Sequence, residues 1–143
     1  MLADDWWRHA VIYQVYPRSF ADANGDGMGD LPGVISRLPY LADLGVDALW
    51  LNPFYASPQN DAGYDVADYR RVDDLFGTVA DAEKLIESAH ALGLRVIFDI
   101  VPNHMAASTE NPWWRDVLRH GEASRFARHF DIDWSRKLIL PIL

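Results

Sequence analysis

No cysteine occurs in the 143 residues, which excludes disulfides, thiol catalysis and cysteine-ligated zinc or iron–sulfur centres. Glutamate is scarce, with only Glu83, Glu87, Glu110 and Glu122 present. Positive charge is short as well. Thirteen Lys and Arg stand against 21 Asp and Glu, a net charge of −8. That balance denies the chain the basic face a nucleic-acid partner needs, and it opposes docking on an anionic membrane. No stretch approaches the roughly 20 apolar residues of a membrane span. The acidic opening Met1-Leu-Ala-Asp-Asp-Trp-Trp7 has no apolar run of the signal-peptide kind, so a cytoplasmic setting is expected. Low-complexity segments and sequence repeats are missing too.

What is present is a globular composition, with half the residues hydrophobic. Ala10-Val-Ile-Tyr-Gln-Val-Tyr16 is short, β-branched and aromatic and stops at Pro17, which predicts a buried strand. Leu31, Val34, Ile35, Leu38, Leu41 and Leu44 lie on one helical face, with Asp30 as N-cap, Gly45 as stop and a kink expected at Pro39. Val46-Asp-Ala-Leu-Trp-Leu51 reads as a second strand. A long connection over 52–77 follows, and connections of that length are usually functional. Within it Asp73-Asp74 reads as a solvated turn. Thr78 caps the next helix, whose apolar face is Val79, Ala82, Leu85, Ile86, Ala89 and Leu92, ending at Gly93. Leu94 to Val101 is the third strand, stopped by Pro102. Asn111-Pro112 opens a further helix that ends at Gly121, and another short helix is expected over Ser124–His129.

Apolar strands alternating with amphipathic helices imply parallel pairing in an α/β fold. A three-stranded parallel sheet is too small to protect its own edges, whereas a (β/α)8 TIM barrel needs roughly 250 residues. The chain is therefore read as the N-terminal part of such a barrel, about three βα units, with the start of an inserted segment. The expected division is 1–104 for the partial barrel and 105–143 for a truncated insertion or helical appendage. No glycine-rich phosphate turn follows the first strand, which counts against a small doubly wound nucleotide-binding domain. The unpaired outer strand and the apolar tail Leu138-Ile-Leu-Pro-Ile-Leu143 make self-association an expectation.

Three groups of residues carry chemistry. Asp22, Asn24, Asp26 and Asp30 place oxygen side chains at alternating positions, and the Met28 carbonyl can add another. That spacing follows the first nine positions of a calcium loop. At the twelfth position stands Gly33 where a bidentate Glu would be expected, so the loop is EF-hand-like only, and Mg²⁺ is an alternative to Ca²⁺. The other reading is an acidic turn that merely caps the next helix. Asp99, Asn103 and His104 sit at the end of the third strand, the active-site end of a parallel barrel, where a carboxylate, an amide and an imidazole suit sugar hydroxyls. They could instead bond loop amides and pack locally. Asp61 and Tyr64 follow the second strand and offer a hydroxyl acceptor and a stacking ring, or simply a turn with a core tyrosine. Trp6, Trp7, Trp113, Trp114 and Trp134 read as packing or exposed surface rather than sugar platforms.

Tyr13-Gln-Val-Tyr-Pro-Arg-Ser-Phe20, the 22–30 loop, Gly63-Tyr-Asp65 and Asp99-Ile-Val-Pro-Asn-His104 together resemble the α-amylase superfamily, glycoside hydrolase family 13. Residues 6–104 resemble its α-glucosidase and oligo-1,6-glucosidase branch. The segment 105–143, with Asn111-Pro-Trp-Trp-Arg-Asp-Val-Leu118 and Arg125-Phe-Ala-Arg-His-Phe-Asp-Ile-Asp-Trp134, is more similar to maltooligosyltrehalose synthase. The resemblance implies a retaining enzyme acting on α-glucosidic bonds of malto- or isomalto-oligosaccharides, or intramolecular transglucosylation if the tail decides. It implies that Asp61, Tyr64 and His104 line the pocket of the nonreducing glucose, with Asp99 supporting them. It implies a structural Ca²⁺ on Asp22, Asn24, Asp26, Met28 and Asp30. A retaining pair needs two carboxylates about 5–5.5 Å apart at strand ends, and none of the four Glu follows a strand. No catalytic residue is therefore assigned in this chain, which by itself is expected to be inactive. A non-catalytic Ca²⁺- or glucan-binding module is the remaining alternative.

Overall fold

The computed structural model describes residues 5–140; Met1 to Asp4 and the closing Pro141-Ile-Leu143 lie outside it. Strands β1 (Ile12–Val15), β2 (Ala48–Leu51) and β5 (Arg95–Phe98) form one parallel sheet in the order β1-β2-β5. The register aligns Gln14, Trp50 and Ile97 across it. Helices α2 (Leu31–Leu44) and α3 (Val79–Ala91) connect these strands and pack on each other. The order is the expected β-α-β-α-β, with each strand shorter than the apolar run that announces it.

Strand alternation sends the two sides of the sheet to different fates. Val15, Leu49 and Leu51 are fully buried in one cluster with Val34, Leu38 and Leu41 of α2 and Leu85 of α3, and Val96 and Phe98 pack on the same cluster. The opposite side is open. Ile12 is 42% exposed and Trp50 37% exposed, so the first strand is not buried as expected: only Val15 of β1 is. The helices of these βα units cover one face, and the other is covered at its N-terminal end alone, where Ala48 is fully buried and the Trp6 ring lies against Arg95.

The helix signals act as read. Asp30 accepts from the Gly33 N–H to cap α2, and Gly45 closes it at φ 87°, a left-handed turn that glycine adopts without strain. Thr78 and Asp81 form a reciprocal capping box on α3. The carbonyl of Phe76, itself buried, accepts from Leu31 N at 2.8 Å and ties the start of α2 to the entry of α3. The kink expected at Pro39 does not divide α2, which is one continuous helix; Pro39 is exposed, so the carbonyl it leaves unpaired can bond water.

Four further expectations are corrected. Pro17 ends β1 but also starts a short helix, α1 (Pro17–Phe20), because its fixed φ suits a first helical position. The 52–77 connection contains an antiparallel pair, β3 (Tyr55–Ala56) with β4 (Asp68–Val72). Asp73 is not a solvated turn residue: it is buried and accepts from Ser57 N, Gln59 Nε2 and Leu75 N, while Asp74 is exposed. After α4 (Pro112–His120), capped by fully buried Asn111, the expected helix at 124–129 is reduced to one 3-10 turn, Ala127–His129, and another, Gly121–Ala123, precedes it. Ser124 between them is extended, and its hydroxyl is spent on Asp116 and Phe126 N rather than on continuing a helix.

Candidate functional site

The open side of the sheet carries a line of polar groups near the C-terminal strand ends. Gln14 Nε2 donates to Asn52 Oδ1 at 3.0 Å, and Asn52 Nδ2 donates to the Tyr64 hydroxyl at 2.6 Å. That hydroxyl donates to Asp99 Oδ2 at 3.0 Å, which also accepts the Trp50 indole N–H at 3.2 Å. One hydrogen-bonded path thus runs from β1 through the residue after β2 to the residue after β5. Burial first, and then the Asp99 carboxylate, push the Tyr64 phenol above its ordinary pKa, because ionising it would set two negative charges side by side.

His104 joins the same group through the backbone. Its Nε2 lies 3.2 Å from the Tyr64 carbonyl, which can only accept, so Nε2 carries the proton. Nδ1 is then the acceptor for the Asn103 amide at 3.1 Å. Asp61 is on the turn that precedes Tyr64, and its carbonyl accepts Tyr64 N at 2.9 Å. Its carboxylate is exposed and has no hydrogen bond among the described residues. The turn is held in an unusual shape, with Gln59 at φ 60° and Ala62 at φ 53° on either side of Asp61. Positive φ costs about 1 kcal/mol or more for such residues and persists only where surroundings impose it. Here Asp65 imposes it, accepting from Ser57 Oγ and Asn60 N, together with buried Asp73.

Tyr64, Asp99 and His104 are therefore brought together, with Asp61 beside them but not bonded to their side chains. Three members went unseen in the sequence: Gln14, Trp50 and Asn52. The available signal was register, since positions 14, 50, 52 and 99 fall on the same side of three parallel strands. A recess of about 480 Å³ opens beside them, lined by Gln14, Tyr16, Asn52, Ala62 and Tyr64. The ensemble offers amide, phenol, imidazole and carboxylate groups of the kind that bind polyhydroxyl compounds. It contains no activated nucleophile and no acid–base pair: Glu83 and Glu87 are on α3, and Glu110 and Glu122 flank α4.

In the 22–30 loop the acidic side chains fold onto the backbone. Asp22 accepts from the N–H groups of Asn24, Gly25 and Gly27; Asn24 accepts from Asp26 N, and Asp26 from Met28 N. The Gly27 and Gly25 bonds hold the Asp22 carboxyl below the usual carboxylate range. Asp30 is buried and bonded to Gly33 N and Ala23 N. Among the described residues no three Asp, Glu or His side chains converge as a ready metal cluster. Gly33 is explained by packing: a Cβ there would strike the Ala21 carbonyl, so no larger residue fits where the calcium-loop pattern expects Glu.

The tryptophans sit away from the strand-end group, apart from Trp50. Trp114 is buried, Trp113 stacks on Phe126 at 5.5 Å, and the Trp6 ring lies under the Arg95 guanidinium at 4.3 Å. No helix among the described residues is long and apolar enough to cross a membrane.

Comparison with known proteins agrees with this geometry. The family model described as "Alpha amylase, catalytic domain" matches residues 14–136. The chain is 57% identical over 110 residues to a probable alpha-glucosidase of Rhizobium meliloti (strain 1021), covering 77% of this chain and 20% of that one. It is 51% identical over 110 residues to an oligo-1,6-glucosidase of Heyndrickxia coagulans, again over 77% of this chain and 20% of the other. Among solved structures it superimposes on an alpha-glucosyl transfer enzyme, XgtA, with a TM-score of 0.79 and 53% identity, covering 85% of this chain and 22% of that one. The chain thus spans about a fifth of the length of the curated relatives it matches.

Proposed function

Because the chain belongs to the alpha-amylase catalytic-domain family, we propose that it supplies one wall of a glucose-binding pocket in an enzyme acting on α-glucosidic bonds of malto- or isomalto-oligosaccharides, working in the cytoplasm. The observation that carries this reading is the shared acceptor: Tyr64 and Trp50 both donate to Asp99 Oδ2 at the strand ends. That arrangement fixes a phenol and a carboxylate beside an exposed carboxylate, Asp61, and an imidazole, His104. Asp61 and His104 take the hydroxyls of a terminal glucose, Tyr64 lies against its ring, and Asp99 holds Tyr64 in place. Hydrolysis with retention requires a nucleophile and an acid–base group, and no carboxylate pair at these strand ends supplies them. The named relatives, an alpha-glucosidase and an oligo-1,6-glucosidase, support the linkage class.

We assign Ca²⁺ to the first loop under the same reading, with Mg²⁺ as the competitor. Asp22, Asn24, Asp26, the Met28 carbonyl and Asp30 would hold it, and its role would be structural. What supports this is the alternating oxygen pattern and the exposure of Asp22, Asn24 and Asp26. Asp30 would divide its carboxylate between the ion and the α2 cap.

The test of the sugar pocket is a titration of the isotope-labelled chain with maltose, isomaltose and cellobiose. The α-linked disaccharides should shift the signals of Tyr64, His104 and the Asp61 turn, and Asp61→Asn should weaken them about tenfold, the size of a lost charge-assisted hydrogen bond. Cellobiose acting equally well, or shifts confined to other surfaces, would refute the assignment.

A further inference from the structure

A second recess, of about 550 Å³, lies between α4, β4 and the turn that follows α4. Four guanidiniums line it, those of Arg70, Arg115, Arg119 and Arg125, in a chain of net charge −8. Favourable placement near the C-terminus of α4 accounts for Arg119. It does not account for Arg70 from β4 and Arg125 from beyond the helix meeting at the same hollow.

Two of the four are held by aromatic rings. The Arg70 guanidinium lies 5.6 Å from the Trp113 ring centre and that of Arg125 4.5 Å from the Phe126 ring centre, and Trp113 and Phe126 stack on each other. A guanidinium resting on a ring keeps its N–H edge free, and the contact spares part of the entropy lost on binding. Arg70 gives its Nε to Asp68 at 3.2 Å. Among the described residues Arg115, Arg119 and Arg125 have no ion pair. The one carboxylate lining the recess, Asp116, is engaged already: one oxygen accepts the Ser124 hydroxyl and the other lies 3.3 Å from His120 Nδ1.

We propose that this recess binds a phosphate dianion, free or as the monoester of a small organic molecule. A tetrahedral phosphate presents three terminal oxygens and can accept from several guanidinium forks at once, whereas a monocarboxylate saturates one. The hollow exceeds the needs of a bare phosphate, and Pro112, Trp113 and Phe126 give the organic part of an ester an apolar wall.

Calorimetry on the 143-residue chain at about 0.15 M salt, where distant surface charges are screened, provides the test. Inorganic phosphate, glucose 6-phosphate, glucose and acetate are the probes. Glucose 6-phosphate should bind with a Kd of about 1 mM or lower, and glucose and acetate at least about tenfold more weakly. The double variant Arg115→Gln/Arg119→Gln should lose about tenfold in affinity with an unchanged circular dichroism spectrum, since both side chains are exposed. Arg125→Gln is the second variant, expected to weaken binding in the same direction. Inorganic phosphate binding as tightly as the ester supports the site and makes the free ion its ligand. Absence of phosphate binding, acetate binding equally well, or unchanged affinity in both variants would overturn it.

Discussion

Tyr64 is the residue on which the strand-end group turns, since its hydroxyl accepts from Asn52 and donates to Asp99. Tyr64→Phe removes both bonds and leaves the Asn52 amide and the Asp99 carboxylate each short of a partner. The cost should be about 1–2 kcal/mol, read as a fall in urea midpoint with an unchanged slope. A variant as stable as the parent would mean that water replaces the phenol without penalty. The pH dependence follows from the raised Tyr64 pKa, caused first by burial and then by Asp99. A raised folded value means the folded chain holds this proton more tightly than the unfolded one. The stabilisation is therefore complete below the unfolded value near 10 and is lost as pH rises through the folded value. Unfolding curves between about pH 9 and 11 should show a steeper loss for the parent than for Tyr64→Phe, and equal slopes would contradict the linkage. Little of this was legible in the sequence. Tyr64, Asp99 and His104 could be picked out by type and position after a strand, but Asn52 and Gln14 are ordinary amides until the parallel register sets them in line.

At the level of elements, the 22–30 loop and the start of α2 behave as one unit. Gly33 admits no Cβ because the Ala21 carbonyl occupies that place, and a backbone carbonyl cannot step aside as a side chain can. Gly33→Ala should therefore cost on the order of 3 kcal/mol, despite the better helix propensity of alanine. A melting temperature equal to the parent's would show that the loop yields. The same loop is where a cation should act. Ca²⁺ at a hundredfold excess over its Kd should add about 2.7 kcal/mol of stability, with Mg²⁺ giving less, and Asp26→Ala should abolish the gain. Identical melting curves with Ca²⁺, Mg²⁺ and chelator would leave the loop as a helix cap alone. Caps, stops and apolar periodicity made α2, α3 and α4 readable beforehand, because those signals are local. The β3–β4 pair was not, since a two-residue strand has no period and is defined only by its partner.

For the whole molecule, the open side of the sheet decides behaviour in isolation. Ile12, Trp50 and the 85%-exposed Ile139 present apolar surface to water, and among the described residues β1 and β5 are unpaired at their outer edges. The purified 143-residue chain should self-associate, giving a mass above 16.3 kDa by light scattering. It should also release no glucose from maltose, isomaltose or an aryl α-glucoside, because among the described residues no pair of strand-end carboxylates can share the nucleophile and acid roles. A sharp monomer, or turnover abolished by Asp99→Asn, would contradict these two expectations respectively.

The alternation of β1, α2, β2, α3 and β5, the parallel pairing of those three strands, and the family were determined by the sequence alone, through apolar periodicity, capping residues and the runs ending in Asp65 and His104. Those are short-range patterns, each written within a few residues. Which side of each strand meets the helices, which polar groups form the path from Gln14 to Asp99, and where four arginines meet were decided by tertiary structure. Gln14 and Asp99 lie more than half the chain apart. Only the folded register joins groups so distant through the bonded pair Asn52 and Tyr64, and no local propensity encodes that meeting.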